Sequence, residues 1–146
     1  MKNYIQVDEW KIIEKEFKPE HNEIIESLCS IGNGHMGQRA NFEEDYSGAS
    51  LQGSYVGGVY YPDKTRVGWW KNGYPEYFAK VLNSINWIGI RIAIDGQNID
   101  IAKLEIISFE RILDMQKGLL TRSVTFKLAT GKKVSIQSTR FVSMAD

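Results

Sequence analysis

Seven glycines fall between Gly32 and Gly58, and Gly68 and Gly73 follow just beyond. Glycine is the residue of choice where the backbone needs positive φ or close approach to another strand. Such a density, with almost no 3.6-residue apolar spacing around it, excludes a helix bundle. It leaves tight turns joining short extended pieces.

The rest of the chain agrees. From Trp87 to Asp95 the residues WIGIRIAID alternate, with Ile88, Ile90, Ile92 and Ile94 on one side. Period two with β-branched residues predicts a half-buried strand. Asp95-Gly96 supplies a turn, so a hairpin is expected over 86–95 and 98–102. A second is expected where Val124, Phe126 and Leu128 alternate, Thr130-Gly131 turns, and Val134 and Ile136 return. Between them, Ile107 to Met115 places Phe109, Arg111 and Leu113 on one face and ends at Lys117-Gly118. Trp10, Ile12 and Ile13 predict a short edge strand before Pro19. Glu23 to Ile31 fits either a helical turn or a strand, Asn33-Gly34 fits a two-residue β-turn, and Tyr77 to Leu82 reads as a helical turn. Many short antiparallel strands must hide their apolar faces between two packed sheets. The expectation is one all-β antiparallel sandwich domain over 1–146.

At 146 residues the chain is long enough for one core, and its 42% hydrophobic and 25% charged residues are ordinary for a globular protein. No apolar run reaches the roughly 18–20 residues of a membrane helix, so no membrane partner is expected. The first ten residues lack the apolar stretch of a secretory signal, and Cys29 is the only cysteine. Both features suit a cytoplasmic protein. Net charge is 18 − 18 = 0, and no basic cluster marks a nucleic-acid partner.

Candidate chemistry is sparse. Gly32-Asn33-Gly34-His35-Met36-Gly37 matches G-x-G-x-x-G, but the dinucleotide fingerprint needs a helix at its third glycine and an acidic residue about 20 positions on. QRANFEED follows without helical spacing, and no acid stands at that distance. Glu43, Glu44 and Asp45 offer carboxylates, and a glycosidase uses two, set about 5–10 Å apart across the bond. On an extended chain Glu43 and Glu44 point to opposite faces. A solvated loop or a partnership with Arg39 is therefore expected. His21, His35 and Cys29 match no zinc spacing; Cys29 reads as a buried inert thiol, and no cofactor, metal or catalytic residue is expected. Trp69, Trp70 and Tyr74 form the best candidate ligand surface, for stacking an oligosaccharide or for packing against a neighbouring domain or subunit.

Several of these pieces together resemble one family. E-S-L-x-S-x-G-N-G-x-x-G-x-R-x-N-F-E-E from Glu26 to Glu44, then G-x-Y-x-x-G-V-Y from Gly53 to Tyr60, look like the start of the N-terminal domain of glycoside hydrolase family 65. LNSINW from Leu82, Asp95-Gly96, RILDMQKGLLTR from Arg111 and RFVSM from Arg140 resemble the same family in order and spacing. Two departures are an aromatic missing near His35-Met36 and Ala40 where the family usually has glycine. The family contains maltose, kojibiose and trehalose phosphorylases. The resemblance implies a supersandwich similar to the galactose mutarotase fold, set before an (α/α)6 catalytic barrel that this chain lacks. It implies a non-catalytic role supporting that barrel in an inverting disaccharide phosphorylase. A sandwich cut partway would leave strand edges open, so a homo-oligomer with a β-rich interface is expected.

Overall fold

The computed structural model describes residues 4–66 and 75–145. Its main sheet has five antiparallel strands in the order β1 (Ile5–Val7), β2 (Lys11–Glu14), β10 (Glu105–Asp114), β11 (Leu119–Lys127) and β12 (Lys133–Arg140). Between β2 and β10 the chain builds the opposing layer. A 3-10 turn leads into the short helix α1 (Asn22–Leu28), followed by β3 (Ile31–Gly32), β4 (Met36–Gln38) and β5 (Ser54–Val56) in a three-stranded sheet. A ribbon of β6 (Tyr60–Lys64) and β7 (Tyr77–Val81) and a two-residue pair of β8 (Ala93–Ile94) and β9 (Gln97–Asn98) complete the chain. Among the described residues every strand-to-strand ladder is antiparallel, and the fold is the expected all-β sandwich. Among the described residues no helix is long and apolar enough to cross a membrane.

The β10–β11–β12 meander shows why alternation was a sound guide. Phe109, Arg111 and Leu113 of β10 and Leu120, Arg122, Val124 and Phe126 of β11 are all buried. The outward positions of β11 and β12 are mostly polar, with Thr121, Ser123, Ser135, Gln137 and Thr139 in their middle and lysines at 127 and 133, and Thr125 and Ser135 share a 2.8 Å hydrogen bond. One wet face and one packed face is how an antiparallel sheet meets water. The packed face carries two apolar clusters. Phe42, Ile99, Ile101, Phe109, Val124, Phe126 and Leu128 form the larger. Ile25, Cys29, Ala40, Leu113 and Leu120 form the smaller.

Elsewhere the chain departs from expectation. The ladder of the 86–95 and 98–102 hairpin shrinks to 93–94 and 97–98. Its turn survives, with Asp95 at φ 52° and Gly96 at φ 77°. Over 87–92 no strand lies alongside among the described residues; Ile90 N–H instead donates to the Glu43 carbonyl at 2.7 Å, and Ile101–Lys103 turn as a 3-10 helix. Tyr77–Val81 is a strand, not a helical turn, because β6 gives its backbone a partner. Lys11–Glu14 is not an edge strand, since β1 covers it. Asn33-Gly34 is not a two-residue turn. Only Gly34 has positive φ, and the Asn33 side chain accepts hydrogen bonds from the His35 and Met36 amides, tightening a longer loop. A strand rather than a helix follows Gly37, so the glycine pattern makes no dinucleotide cradle.

Candidate functional site

Between the two apolar clusters runs a band of charge. Arg111 and Arg122 are directly paired across β10 and β11, both pointing inward and both buried. Like charges in that register repel, and burying either alone would be costly. The opposing layer, together with Glu14 on the neighbouring strand β2, resolves this. Arg122 Nη1 donates to Glu44 Oε1 at 2.7 Å, and its Nη2 reaches Glu44 Oε2 at 2.5 Å and Glu43 Oε2 at 2.7 Å. Arg111 Nε lies 3.2 Å from Glu14 Oε2, without hydrogen-bond alignment, and its two terminal nitrogens donate to the Ala40 carbonyl and Asn22 Oδ1. The Phe42 ring stands between the two guanidinium groups, 5.1 Å from Arg111 and 5.0 Å from Arg122. On β12, Arg140 donates to Glu43 Oε1 at 2.6 Å and to the carbonyls of Arg39 and Asn41.

The segment R-x-N-F-E-E is thus gripped residue by residue: the carbonyls of Arg39, Ala40 and Asn41, the ring of Phe42, and both glutamates. Its partners are the arginines that open or close the later runs RILDM, LLTR and RFVSM. Glu43 and Glu44 reach one guanidinium because the chain bends there instead of running extended. Their partners are Arg122 and Arg140, not Arg39, whose Nη1 donates to Ser27 Oγ. The inward alternation of Arg111 between Phe109 and Leu113 was the available signal for a buried arginine.

Other polar groups are equally committed. Glu26 is buried and accepts hydrogen bonds from Asn22 Nδ2, Ser50 Oγ and the Leu51 amide, holding the loop after the acidic run. Burial pushes the Cys29 thiol up to about 11, an inert thiol as expected. His21 stacks on Tyr4, and His35 is exposed. Among the described residues no three His, Cys, Asp or Glu side chains converge as a metal site requires. Trp69, Trp70 and Tyr74 lie outside the described residues.

A polar cleft of about 520 Å³ opens beside the band, lined by Glu43, Asp45, Tyr46, Asn86, Arg91 and Asp100 among others. Its carboxylates are already engaged. Asp45 stands 3.9 Å from Arg91; Asp100 accepts from the Ser47 and Ala102 amides and pairs with Lys103. Burial works to raise Asp100, but these donors outweigh it and hold the carboxyl at about 2. Burial likewise opposes Glu43, and Arg140 with Arg122 bring it below the ordinary carboxylate range. Depressed carboxyls give stability that is present above their ordinary values and lost as pH falls through the folded ones. Glu14, raised by burial, works the other way: its contribution is full at low pH and lost as pH rises through its folded value. Acid unfolding should therefore steepen between the ordinary value of 3.8 and about 2 for Asp100, and Asp100→Asn should flatten that stretch. Thermal melts across pH, with and without the substitution, read this directly.

The fold and this band define a class. The description "Glycosyl hydrolase family 65, N-terminal domain" matches residues 12–146, and the chain belongs to that family. It is 53% identical over 140 residues to maltose phosphorylase of Bacillus subtilis (strain 168), covering 96% of this chain and 18% of that protein. To kojibiose phosphorylase of Thermoanaerobacter brockii it is 32% identical, covering 99% of this chain and 17% of that protein. A putative kojibiose phosphorylase from the human microbiome has a solved structure that superposes with a TM-score of 0.84 at 33% identity, over 97% of this chain and 19% of that one. The chain thus spans about a fifth of the length of these relatives.

Proposed function

We propose that this chain is the opening part of the N-terminal β-sandwich of an α-glucosidic disaccharide phosphorylase. Within it the chain is a non-catalytic support that braces the catalytic barrel and contributes to self-association. The higher identity to the maltose-acting relative favours maltose as the parent substrate. One observation carries the non-catalytic reading. The carboxylates that could have served as acid and base, Glu43 and Glu44, are spent on Arg122 and Arg140. A general acid needs a raised pKa beside its substrate; the arginines pull Glu43 the opposite way.

Incubated with inorganic phosphate and maltose, kojibiose or trehalose, the purified chain should release no glucose 1-phosphate above the protein-free rate. Release that scales with protein and persists through repurification would overturn the reading.

A further inference from the structure

Among the described residues the β6–β7 ribbon is a poorly covered element. All five residues of β7 are exposed, as are four of five in β6. Tyr60, Tyr61, Tyr77 and Phe78 are 55, 57, 52 and 45% exposed, and Val59, Val81 and Leu82 are exposed beside them. A two-stranded ribbon is marginal in water without a third strand or a covered face. These side chains divide between the two faces of the ribbon, Tyr60, Tyr77 and Val81 on one and Tyr61 and Phe78 on the other. Each face thus presents on the order of 250–400 Å² of apolar surface, a size at which a patch on a monomer is often functional.

The two edges of the ribbon differ. Past β7 the chain continues beside β5, with the Ser84 amide donating to the Ser54 carbonyl at 2.6 Å, while β4 pairs with the other side of β5. The β7 side is thus the outer rim. On the β6 edge stands Pro62, which has no N–H to offer a new strand. YFAKV has no proline and no glycine, and its Lys80 already meets Asp63 of β6.

We propose that β7 is the self-association edge of this protein, pairing antiparallel with β7 of a second copy about a two-fold axis at Ala79. This deepens the self-association named above and rests on that reading. The register is self-complementary. Ala79 faces its own copy with small side chains at the axis. Tyr77 meets Val81 of the second copy, an aromatic and β-branched pair that stabilises a ladder. Phe78 meets Lys80 of the second copy, a cation beside a ring. No like charges oppose each other, and the product is a four-stranded sheet with Tyr60, Tyr77 and Val81 of both copies on one face. Isologous contacts of this kind close at two subunits.

Light scattering should give a dimer for the 146-residue chain at micromolar concentration. Ala79→Lys and Ala79→Glu each place like charges at the axis. Ala79 is exposed, so the monomer fold should keep its circular dichroism. Each variant alone should self-associate at least tenfold more weakly, and an equimolar mixture should regain the dimer. A monomeric wild-type chain overturns both this proposal and the self-association reading. A dimer indifferent to both variants overturns this edge and leaves that reading intact. Should either variant unfold, amide exchange decides: raising the wild-type concentration should slow exchange within Tyr77–Val81, and unchanged exchange there overturns the proposal.

Discussion

Arg122→Met should lower the unfolding free energy by about 3–5 kcal/mol, the cost of removing one partner from a buried ion pair. Methionine fills much of the arginine stem, so little of the loss comes from volume. What it removes is the fork. Glu44, whose side chain is 0% exposed, and Glu43 keep their charges with only Arg140 left near one of them. Domains of this size are stable by about 5–15 kcal/mol, so the variant should unfold at markedly lower urea, with an unchanged slope. Arg122→Lys should recover only part of the loss, because an ammonium is a point charge and cannot serve both glutamates in two directions. Adding Glu44→Gln to Arg122→Met should also recover part, by removing the stranded charge. A loss below about 1 kcal/mol, the range of surface pairs, would mean that water reaches the band and that the arginine is not what docks the two layers.

The reason to expect so much from one residue lies in where it stands. Arg111 and Arg122 separate the Phe109–Val124–Phe126 cluster from the Leu113–Leu120 cluster along the same two strands. Apolar packing alone would tolerate sliding the 39–50 segment along the sheet. Charged forks with named acceptors on consecutive residues do not. Fixing register is the best-attested use of buried polar groups.

Period-two patterning worked where a strand buries one face against a continuous layer, as in β10 to β12. It failed over 87–92, where the same alternation forms no ladder: Ile92 accepts a single hydrogen bond from the Ile99 amide, and Ile90 is tied to the Glu43 carbonyl. Sequence period reports which side chains face inward; it does not report whether a partner strand is present. The helix at Asn22–Leu28 was ambiguous because its burial is confined to Asn22, Ile25 and Glu26, two of them polar. The charge band was half legible. Arg111 sat visibly at an inward position, but its partner Glu14 lies 97 positions away in the sequence. Nothing local marked Glu43 and Glu44 as ligands of Arg122 from a distant strand. The family motifs contained Glu43, Glu44, Arg111 and Arg122, though not Glu14, without saying what each touches.

Phe42→Ala should cost about 3–5 kcal/mol, as large-to-small changes at buried aromatics do, and Phe42→Leu is the more discriminating variant. The ring meets Phe17 edge-on at 5.4 Å, Tyr46 at 5.0 Å and Phe109 at 6.3 Å, besides the two guanidinium groups. A leucine conserves much of the volume but offers no π face to either arginine, and each desolvated cation–ring contact is worth about 0.5–2 kcal/mol. Ordinary volume-conserving core swaps cost less than about 1.5 kcal/mol, so Phe42→Leu should exceed that figure. Phe126→Leu provides the control. Phe126 is fully buried in the same cluster, with no guanidinium over its ring among the described residues, and its substitution should stay within the ordinary range. Equal losses at the two positions would assign Phe42 to packing alone. A larger loss at Phe42 would establish the ring as the wedge that lets two arginines share one buried register.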